Sequence, residues 1–217
     1  AALKKAAQTY RPIKGAYVKS MPGDALAGIF MNVKGEQFLP MMQSNSSLQT
    51  LLMGINQAVD MDNIIRSVDG DMAIVMPTLG DADLKIMMAA KLAHSKWLGD
   101  VDYWKKSCPP GAKIANWAKN AYFYTDGKTS FYFGVTDDKQ FFSGSDELTA
   151  QYAVKPSNHP IDAKIQKLIV GQKLAMVINL AKSSDGSGTG KDDAISTVTG
   201  LLAPVFGNLT SVVYTLK

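Results

Sequence analysis

The segment from Trp117 to Ser143, WAKNAYFYTDGKTSFYFGVTDDKQFFS, is the feature that most constrains how this chain can fold. It is rich in aromatic residues, and two turn signals, Asp126-Gly127 and Asp137-Asp138, divide it into three runs. The dipeptide Asp-Gly favours a two-residue hairpin turn, because both central residues of a type I′ turn need positive φ. The segment therefore predicts an antiparallel meander of three strands.

Two-residue turns at both signals also predict which aromatic side chains share a face of the meander. The first turn pairs Thr125 with Lys128, and the second places Phe142 opposite Phe133 and Phe141 opposite Gly134. One face then carries apolar side chains that can seed a core, namely Tyr122, Tyr124, Phe131, Phe133, Val135 and Phe142. The other face carries Phe123, Tyr132 and Phe141.

The spacing of apolar residues assigns the rest of the chain to short strands and helices. Apolar runs predict strands at residues 25–33, 71–76, 83–92, 174–180 and 209–216. Helical spacing predicts helices at residues 35–42, 47–58, 62–68, 95–108, 145–154, 161–170 and 192–203. This pattern predicts an α+β fold, a mainly antiparallel sheet with helices packed mostly on one face.

Charge and internal similarity indicate how the chain is divided. The first 23 residues hold five basic residues and no acidic residue, which leaves 18 of the 23 basic residues against all 19 acidic ones in the remainder. We therefore predict a solvated basic lead-in at residues 1–22 and a single α+β domain at residues 23–217. LAGIFMNVKG, at 26–35, resembles LAMVINLAKS, at 174–183, which suggests a duplicated β-helix-β unit at 24–92 and 172–217.

Several classes of site are not supported by the residues. Cys108 is the single cysteine, and His94 and His159 are far apart in the chain, so neither a disulfide nor a zinc-ligand spacing exists. The glycine-rich stretch 186–191 lies between a predicted strand and helix, but Asp192 stands where a phosphate-binding loop needs Ser or Thr. We expect no metal and no cofactor.

Other partners and activities are also disfavoured. Only Arg11 and Arg66 are arginines, which argues against a nucleic-acid partner. No run of 18 apolar residues is present to span a membrane. No spacing of ionisable residues marks a nucleophile or an acid–base pair, so the sequence predicts that the protein is not an enzyme. A hydrolase whose site is assembled only by the fold is the alternative.

The second meander face is the best candidate for a ligand-binding site. Exposed rows of aromatic side chains stack on sugar rings and other flat groups, so Phe123, Tyr132 and Phe141 are the candidate ligand-binding residues. Burial beneath a helix, such as the one at 145–154, explains the same three residues as core. Exposure of the three side chains distinguishes the two interpretations.

A family resemblance adds a cellular setting. PGDALAGIFMNVKG, LLMGINQAVDMDNIIRSVDGDMAIVM and YFYTDGKTSFYFGVTDD resemble a Bacteroidetes family of cell-envelope lipoproteins, the domain of unknown function 4836. The resemblance covers most of the chain and brings no catalytic residues. It implies an exported protein, lipid-anchored in its full-length precursor, of which this chain is a carboxyl-terminal portion.

Together these observations predict a non-enzymatic protein of the cell envelope, in the periplasm or at the outer-membrane surface. The expected partner is a glycan polymer or another envelope protein, with membrane association only through a lipid anchor outside this chain. A purely structural envelope module is the nearest alternative.

Overall fold

The computed structural model describes residues 9–77, 85–179 and 212–215. Nine strands form one sheet, in the order β4-β5-β6-β7-β3-β2-β1-β8-β9. All neighbouring strands pair antiparallel except β8 and β9, which are parallel. The strands are β1 (Ala27–Lys34), β2 (Val68–Met76), β3 (Met87–Leu92), β4 (Lys113–Ala118), β5 (Ala121–Thr125), β6 (Ser130–Val135), β7 (Gln140–Gly144), β8 (Leu174–Ile178) and β9 (Val212–Thr215).

Six α-helices and two short 3₁₀ helices, Val18–Ser20 and Lys96–Asp100, pack on the two faces of this sheet within the described residues. The α-helices are numbered in chain order. They are α1 (Gly35–Gln43), α2 (Ser46–Asn56), α3 (Met61–Arg66), α4 (Val101–Ser107), α5 (Glu147–Tyr152) and α6 (Ala163–Ile169). The helices α1 to α4 cover one face, which we call the front face, and α5 and α6 lie on the opposite, back face. The predicted α+β fold, with a mainly antiparallel sheet and most helices on one face, is confirmed.

Alternation along each strand divides the core into two layers. On the front face, Met31, Met72 and Phe133 pack with helix residues such as Phe38 and Trp97. On the back face the sheet contributes, among others, Phe30, Ala73, Ala89 and Ala175, which pack with residues of the segment 13–25 and with Ala153, Ile161 and Ile169. The sheet is therefore buried on both faces over its centre.

Acidic side chains explain several of the helix starts. Asp60 accepts a hydrogen bond from the backbone N–H of Asn63 at α3, and Asp162 accepts one from Lys164 at α6. At α5, Asp146 accepts from the backbone N–H and the hydroxyl of Thr149, and it also pairs with Lys85 at 2.9 Å. Burial opposes ionisation of Asp146, but these bonds to the carboxylate outweigh it and lower its pKa. Carboxylates at such positions satisfy amides that have no partner inside the helix.

The segment before β1 is more buried than its basic charge predicts. Tyr10, Ile13, Tyr17, Val18 and Met21 are buried, so the prediction of a solvated lead-in is wrong for residues 9–22. Charge counting missed these residues because their apolar side chains alternate with the basic ones. The first eight residues lie outside the described part of the chain.

The two units of the predicted duplication pair their strands differently. The two similar segments form β1 and β8, which are antiparallel neighbours. However, β1 pairs antiparallel with β2, whereas β8 pairs parallel with β9. The similarity therefore does not extend to the way the strands pair, and the duplication stays a prediction. The glycine-rich loop and the helix predicted at 192–203 lie outside the described residues.

The two turns of the meander differ from the predicted ones. At the first turn Thr125 pairs with Ser130, not Lys128, and the backbone N–H of Asp126 donates to the carbonyl of Thr129, so Gly127 and Lys128 form the loop, one residue later than predicted. The Asp126 carboxylate holds this loop by accepting the backbone N–H groups of Lys128 and Thr129. The register therefore shifts by two residues. A shift of two leaves every side chain on its predicted face. The shared faces predicted for strands β5 and β6 are confirmed.

The second turn contains one residue more than predicted, and its effect is larger. Lys139 adopts φ 60, and the backbone N–H of Thr136 bonds to the carbonyl of Gln140, so three residues form the loop. Phe141 consequently pairs with Val135, and Phe142 pairs with Gly134. A shift of one residue exchanges the faces of both phenylalanines. The predicted pairings of Phe141 and Phe142 are wrong.

Replacing Lys139 by glycine tests this turn. The left-handed conformation costs a side-chain-bearing residue about 1 kcal/mol, and glycine avoids most of that cost. We expect Lys139→Gly to raise the free energy of unfolding by about 0.5–1 kcal/mol in urea titrations. The control is Lys128→Gly in the neighbouring loop, because Lys128 does not have positive φ. A loss of stability in Lys139→Gly equal to that in the control would contradict the assignment.

Candidate functional site

The structure brings four aromatic side chains together on the back face of the meander. Trp117, Phe123, Tyr132 and Phe142 are each partly exposed. The ring centroids of Phe123 and Tyr132 lie 4.8 Å apart, those of Trp117 and Tyr132 4.9 Å, and those of Trp117 and Phe142 6.2 Å. These distances are typical of packed aromatic pairs. We call the four residues the aromatic surface.

Small residues beneath the rings explain why the surface is continuous. Ala121 and Gly134 are opposite one another on β5 and β6, and both are buried. A β-carbon added to Gly134 would lie 2.6 Å from Cζ of Phe142 and 2.7 Å from the carbonyl oxygen of Asn120. The missing side chain therefore leaves the space that the Phe142 ring occupies, and Trp117 meets Tyr132 and Phe142 across the same strands.

Trp117 reaches this surface because the backbone of β4 is irregular beside it. Asn116 pairs with Tyr122 and Ala118 pairs with Ala121, so the register shifts at Trp117. Such a bulge redirects a side chain relative to its neighbours. Trp117 is the first residue of the predicted meander, but the alternation of residues along the strands does not predict that it joins the site. Asn120 adopts the left-handed conformation, with φ 51, in the tight turn that follows β4. Asparagine tolerates this conformation, so Asn120 is the residue in the sequence that indicates the turn.

Phe141 does not belong to the aromatic surface. It lies on the front face, is only 4% exposed, and packs edge-to-face on Trp97 with 6.4 Å between ring centroids. Of the three residues predicted to share the second face of the meander, Phe123 and Tyr132 do so and Phe141 does not. The extra residue in the second turn is the physical reason.

The aromatic surface differs from the aromatic side chains on the front face of the same meander. There, Tyr122 and Phe131 pack against the front core, and burial together with a hydrogen bond to Asp126 raises the pKa of Tyr124 to about 12. Among the described residues, Trp117, Phe123 and Tyr132 belong to neither hydrophobic cluster, and only Phe142 packs against the back core. These three rings therefore pack on one another and on Phe142 at the edge of the back core.

Helix α5 lies beside the aromatic surface and packs close to its edge. A β-carbon on Gly144, the partner of Tyr132 on β7, would overlap the backbone nitrogen of Ala150. The absence of a side chain there lets α5 pack directly on β7. The predicted burial of the meander beneath this helix therefore applies to the region of Gly144, while the four aromatic side chains keep part of their area exposed.

Polar groups adjoin the surface at the end near the first turn. Thr125 and Ser130 face one another on β5 and β6, with 2.7 Å between their hydroxyl oxygens. Lys113, which pairs with Thr125 from β4, is exposed. These three side chains lie on the same face as Phe123, since they occupy alternate positions along their strands.

The described part of the chain has neither a metal-binding cluster nor a membrane-spanning helix. Within residues 9–77, 85–179 and 212–215, no group of three or more His, Cys, Asp or Glu side chains could hold a metal ion. Nor does this part contain a helix that is both long and apolar enough to cross a lipid bilayer.

Comparisons with known proteins give a similarity of fold only. No protein-family model and no curated protein sequence matches the chain. Crystal forms IV, III and I of TP0453 are similar to it at 8% identity, with TM-scores of 0.43, 0.44 and 0.47. They cover 75%, 69% and 74% of this chain, and the chain spans only 60%, 56% and 61% of theirs. At this level the similarity says nothing about what either protein binds.

Proposed function

We propose that this chain is a non-enzymatic protein of the cell envelope that binds a glycan chain at the aromatic surface. The observation that carries the proposal is the contiguity of four partly exposed rings on one face of the meander. Three of these rings, those of Trp117, Phe123 and Tyr132, belong to none of the described core clusters. Contiguous aromatic side chains that keep part of their area in solvent are typical of a binding site.

The chemistry of the surface suits a sugar polymer. Aromatic ring faces carry partial negative charge, so they attract the weakly positive C–H groups on the flat side of a sugar ring. The Thr125 and Ser130 hydroxyls and the Lys113 ammonium adjoin the rings and can exchange hydrogen bonds with sugar hydroxyls. A row of rings with polar groups at one end fits an elongated ligand.

The envelope setting rests on the resemblance to the lipoprotein family, as does the lipid anchor outside this chain. Membership of that family is part of the proposal. A partner protein of the envelope is the second candidate ligand, because partly exposed aromatic side chains are also enriched at protein interfaces. A purely structural module is the nearest rival, since edge-to-face packing of Trp117 on Tyr132 and Phe142 also stabilises the meander.

Affinity electrophoresis against a panel of soluble bacterial and plant polysaccharides tests the proposal. We expect at least one polysaccharide to retard the wild-type protein, and we expect Trp117→Ala and Tyr132→Ala each to weaken that binding at least about tenfold, which corresponds to 1.4 kcal/mol. Because Trp97 and Trp104 are buried, a change in tryptophan emission on binding should come from Trp117 and be absent in Trp117→Phe.

Tyr103→Ala is the matched control, because Tyr103 is 71% exposed and lies on α4, which packs on the front face. We expect this variant to bind as wild type does. Circular dichroism verifies that all variants fold. If no polysaccharide binds, or if the Trp117 and Tyr132 variants bind as well as the Tyr103 variant, the structural module is the better interpretation. Binding to an envelope extract that is lost after protease treatment of the extract favours a protein partner.

A further inference from the structure

A concave site that shares no residue with the aromatic surface lies beside α5. It is a cleft of about 320 Å³ between α5, the turn at 22–24 and the adjoining ends of β2 and β3. The side chains that matter for its chemistry are Asp24, Lys85, Met87, Leu148, Tyr152 and Lys155. We call it the α5 cleft. Its volume is at the lower end of the range for small-molecule sites, about 300–1,000 Å³, so only a small ligand fits.

One wall of the α5 cleft is apolar and accessible. Leu148 and Tyr152 are four residues apart on α5, so they lie on one side of the helix, and they are 59% and 48% exposed. Met87, at the start of β3, also lines the cleft and is itself buried. Large apolar side chains beside a cavity offer area that an apolar group can cover, and removing that area from water stabilises a complex.

Charged groups of both signs line the same cleft. Lys85 is already neutralised, because its ammonium lies 2.9 Å from a carboxylate oxygen of Asp146. Asp24 and Lys155 are exposed, and neither side chain has an ion-pair or hydrogen-bond partner in the described part of the chain. After the Lys85–Asp146 pair is set aside, Asp24 is the carboxylate and Lys155 the ammonium that the described part of the chain leaves unpaired in the lining, beside the imidazole of His159.

We propose that the α5 cleft binds a zwitterionic apolar amino acid. The ligand's ammonium would pair with Asp24, its carboxylate with Lys155, and its side chain would cover Leu148 and Tyr152. A ligand that carries both charges satisfies both free groups of the cleft, whereas an anion or a cation satisfies only one. The inference is independent of glycan binding, since the aromatic surface and the cleft share none of their residues.

Isothermal titration calorimetry with L-leucine and L-phenylalanine tests this proposal in the full chain. Two further probes each lack one charge, leucinamide without the carboxylate and N-acetyl-leucine without the ammonium. We expect both to bind at least about tenfold more weakly than leucine. Lys155→Gln should abolish the preference for leucine over leucinamide, and Asp24→Asn should abolish the preference over N-acetyl-leucine.

Lys128→Gln is the control variant, because Lys128 is exposed in the first turn of the meander and does not line the cleft. It should retain both preferences. The proposal is overturned if neither amino acid binds at millimolar concentration, or if leucine and the two single-charge probes bind wild type equally. Tighter binding of N-acetyl-leucine than of leucine would also overturn it and would indicate an anionic ligand.

Discussion

The variant Gly35→Ala is expected to lose about 3 kcal/mol of unfolding free energy, although it adds a single methyl group. Gly35 is the buried first residue of α1, and a β-carbon there would overlap the carbonyl oxygen of Ile65 and lie 2.8 Å from its carbonyl carbon. Both atoms are backbone near the end of α3, so no side chain can rotate away. Forced overpacking of this kind costs about 1–3 kcal/mol and sometimes more.

Urea denaturation followed by circular dichroism measures this loss. The matched control is Gly54→Ala, because Gly54 is an exposed helical glycine on α2 with no atom within 4 Å of an added β-carbon. Alanine in an exposed helix interior is favoured over glycine by about 0.5–1 kcal/mol, so this control should become more stable. If both alanine variants gain stability, α1 and α3 are not packed as closely as the structure has them.

Strands and helices could be predicted from the sequence because their signals are local. The helix predicted at 47–58 begins and ends within two residues of α2, and the meander occurs where the turn signals place it. The register in which the strands pair was harder to predict from the sequence. Whether the two loop residues are Asp126-Gly127 or Gly127-Lys128 depends on the hydrogen bonds that the Asp126 carboxylate accepts from Lys128 and Thr129, and composition does not reveal those bonds.

The candidate site was predicted only in part, for the same reason. Phe123 and Tyr132 share a face, because a two-residue shift preserves faces, but the one-residue change at Lys139 moves Phe141 into the front core. Trp117 and Phe142 take part because of a bulge in β4 and a space above Gly134. Both are long-range consequences of strand pairing, which a local pattern does not encode.

The segment before β1 illustrates a third limit, since its anchors lie far away in the sequence. Asn32 and Asp71 are buried and face one another on β1 and β2. The amide of Asn32 donates to the carbonyl of Pro12, and the two carboxylate oxygens of Asp71 accept the backbone N–H groups of Lys14 and Ala16 at 2.9 and 2.7 Å. Two polar residues in apolar strands therefore hold the segment 12–16 against the back face.

Asp71→Ala is accordingly expected to lower the unfolding free energy by about 3 kcal/mol. The substitution removes the two hydrogen bonds that the buried carboxylate accepts from the backbone N–H groups of Lys14 and Ala16, and a hydrogen bond to a charged group contributes about 1.5–3 kcal/mol. The loss should appear in urea denaturation. Amide hydrogen exchange should accelerate at Lys14 and Ala16, because the segment that they anchor opens more often.

Asp69→Ala distinguishes this anchoring from a general effect of removing an acidic side chain from β2. Asp69 pairs with Arg11 at 2.6 Å, but the Arg11 side chain is 36% exposed and the Asp69 side chain is 42% exposed. Solvent screens such a pair, so its loss should cost less than about 1 kcal/mol. Equal destabilisation by the Asp69 and Asp71 variants, with unchanged exchange at Lys14 and Ala16, would show that the buried carboxylate does not hold the segment. A large loss confined to Asp71→Ala would show that residues 12–16 depend on β2 for their place in the fold.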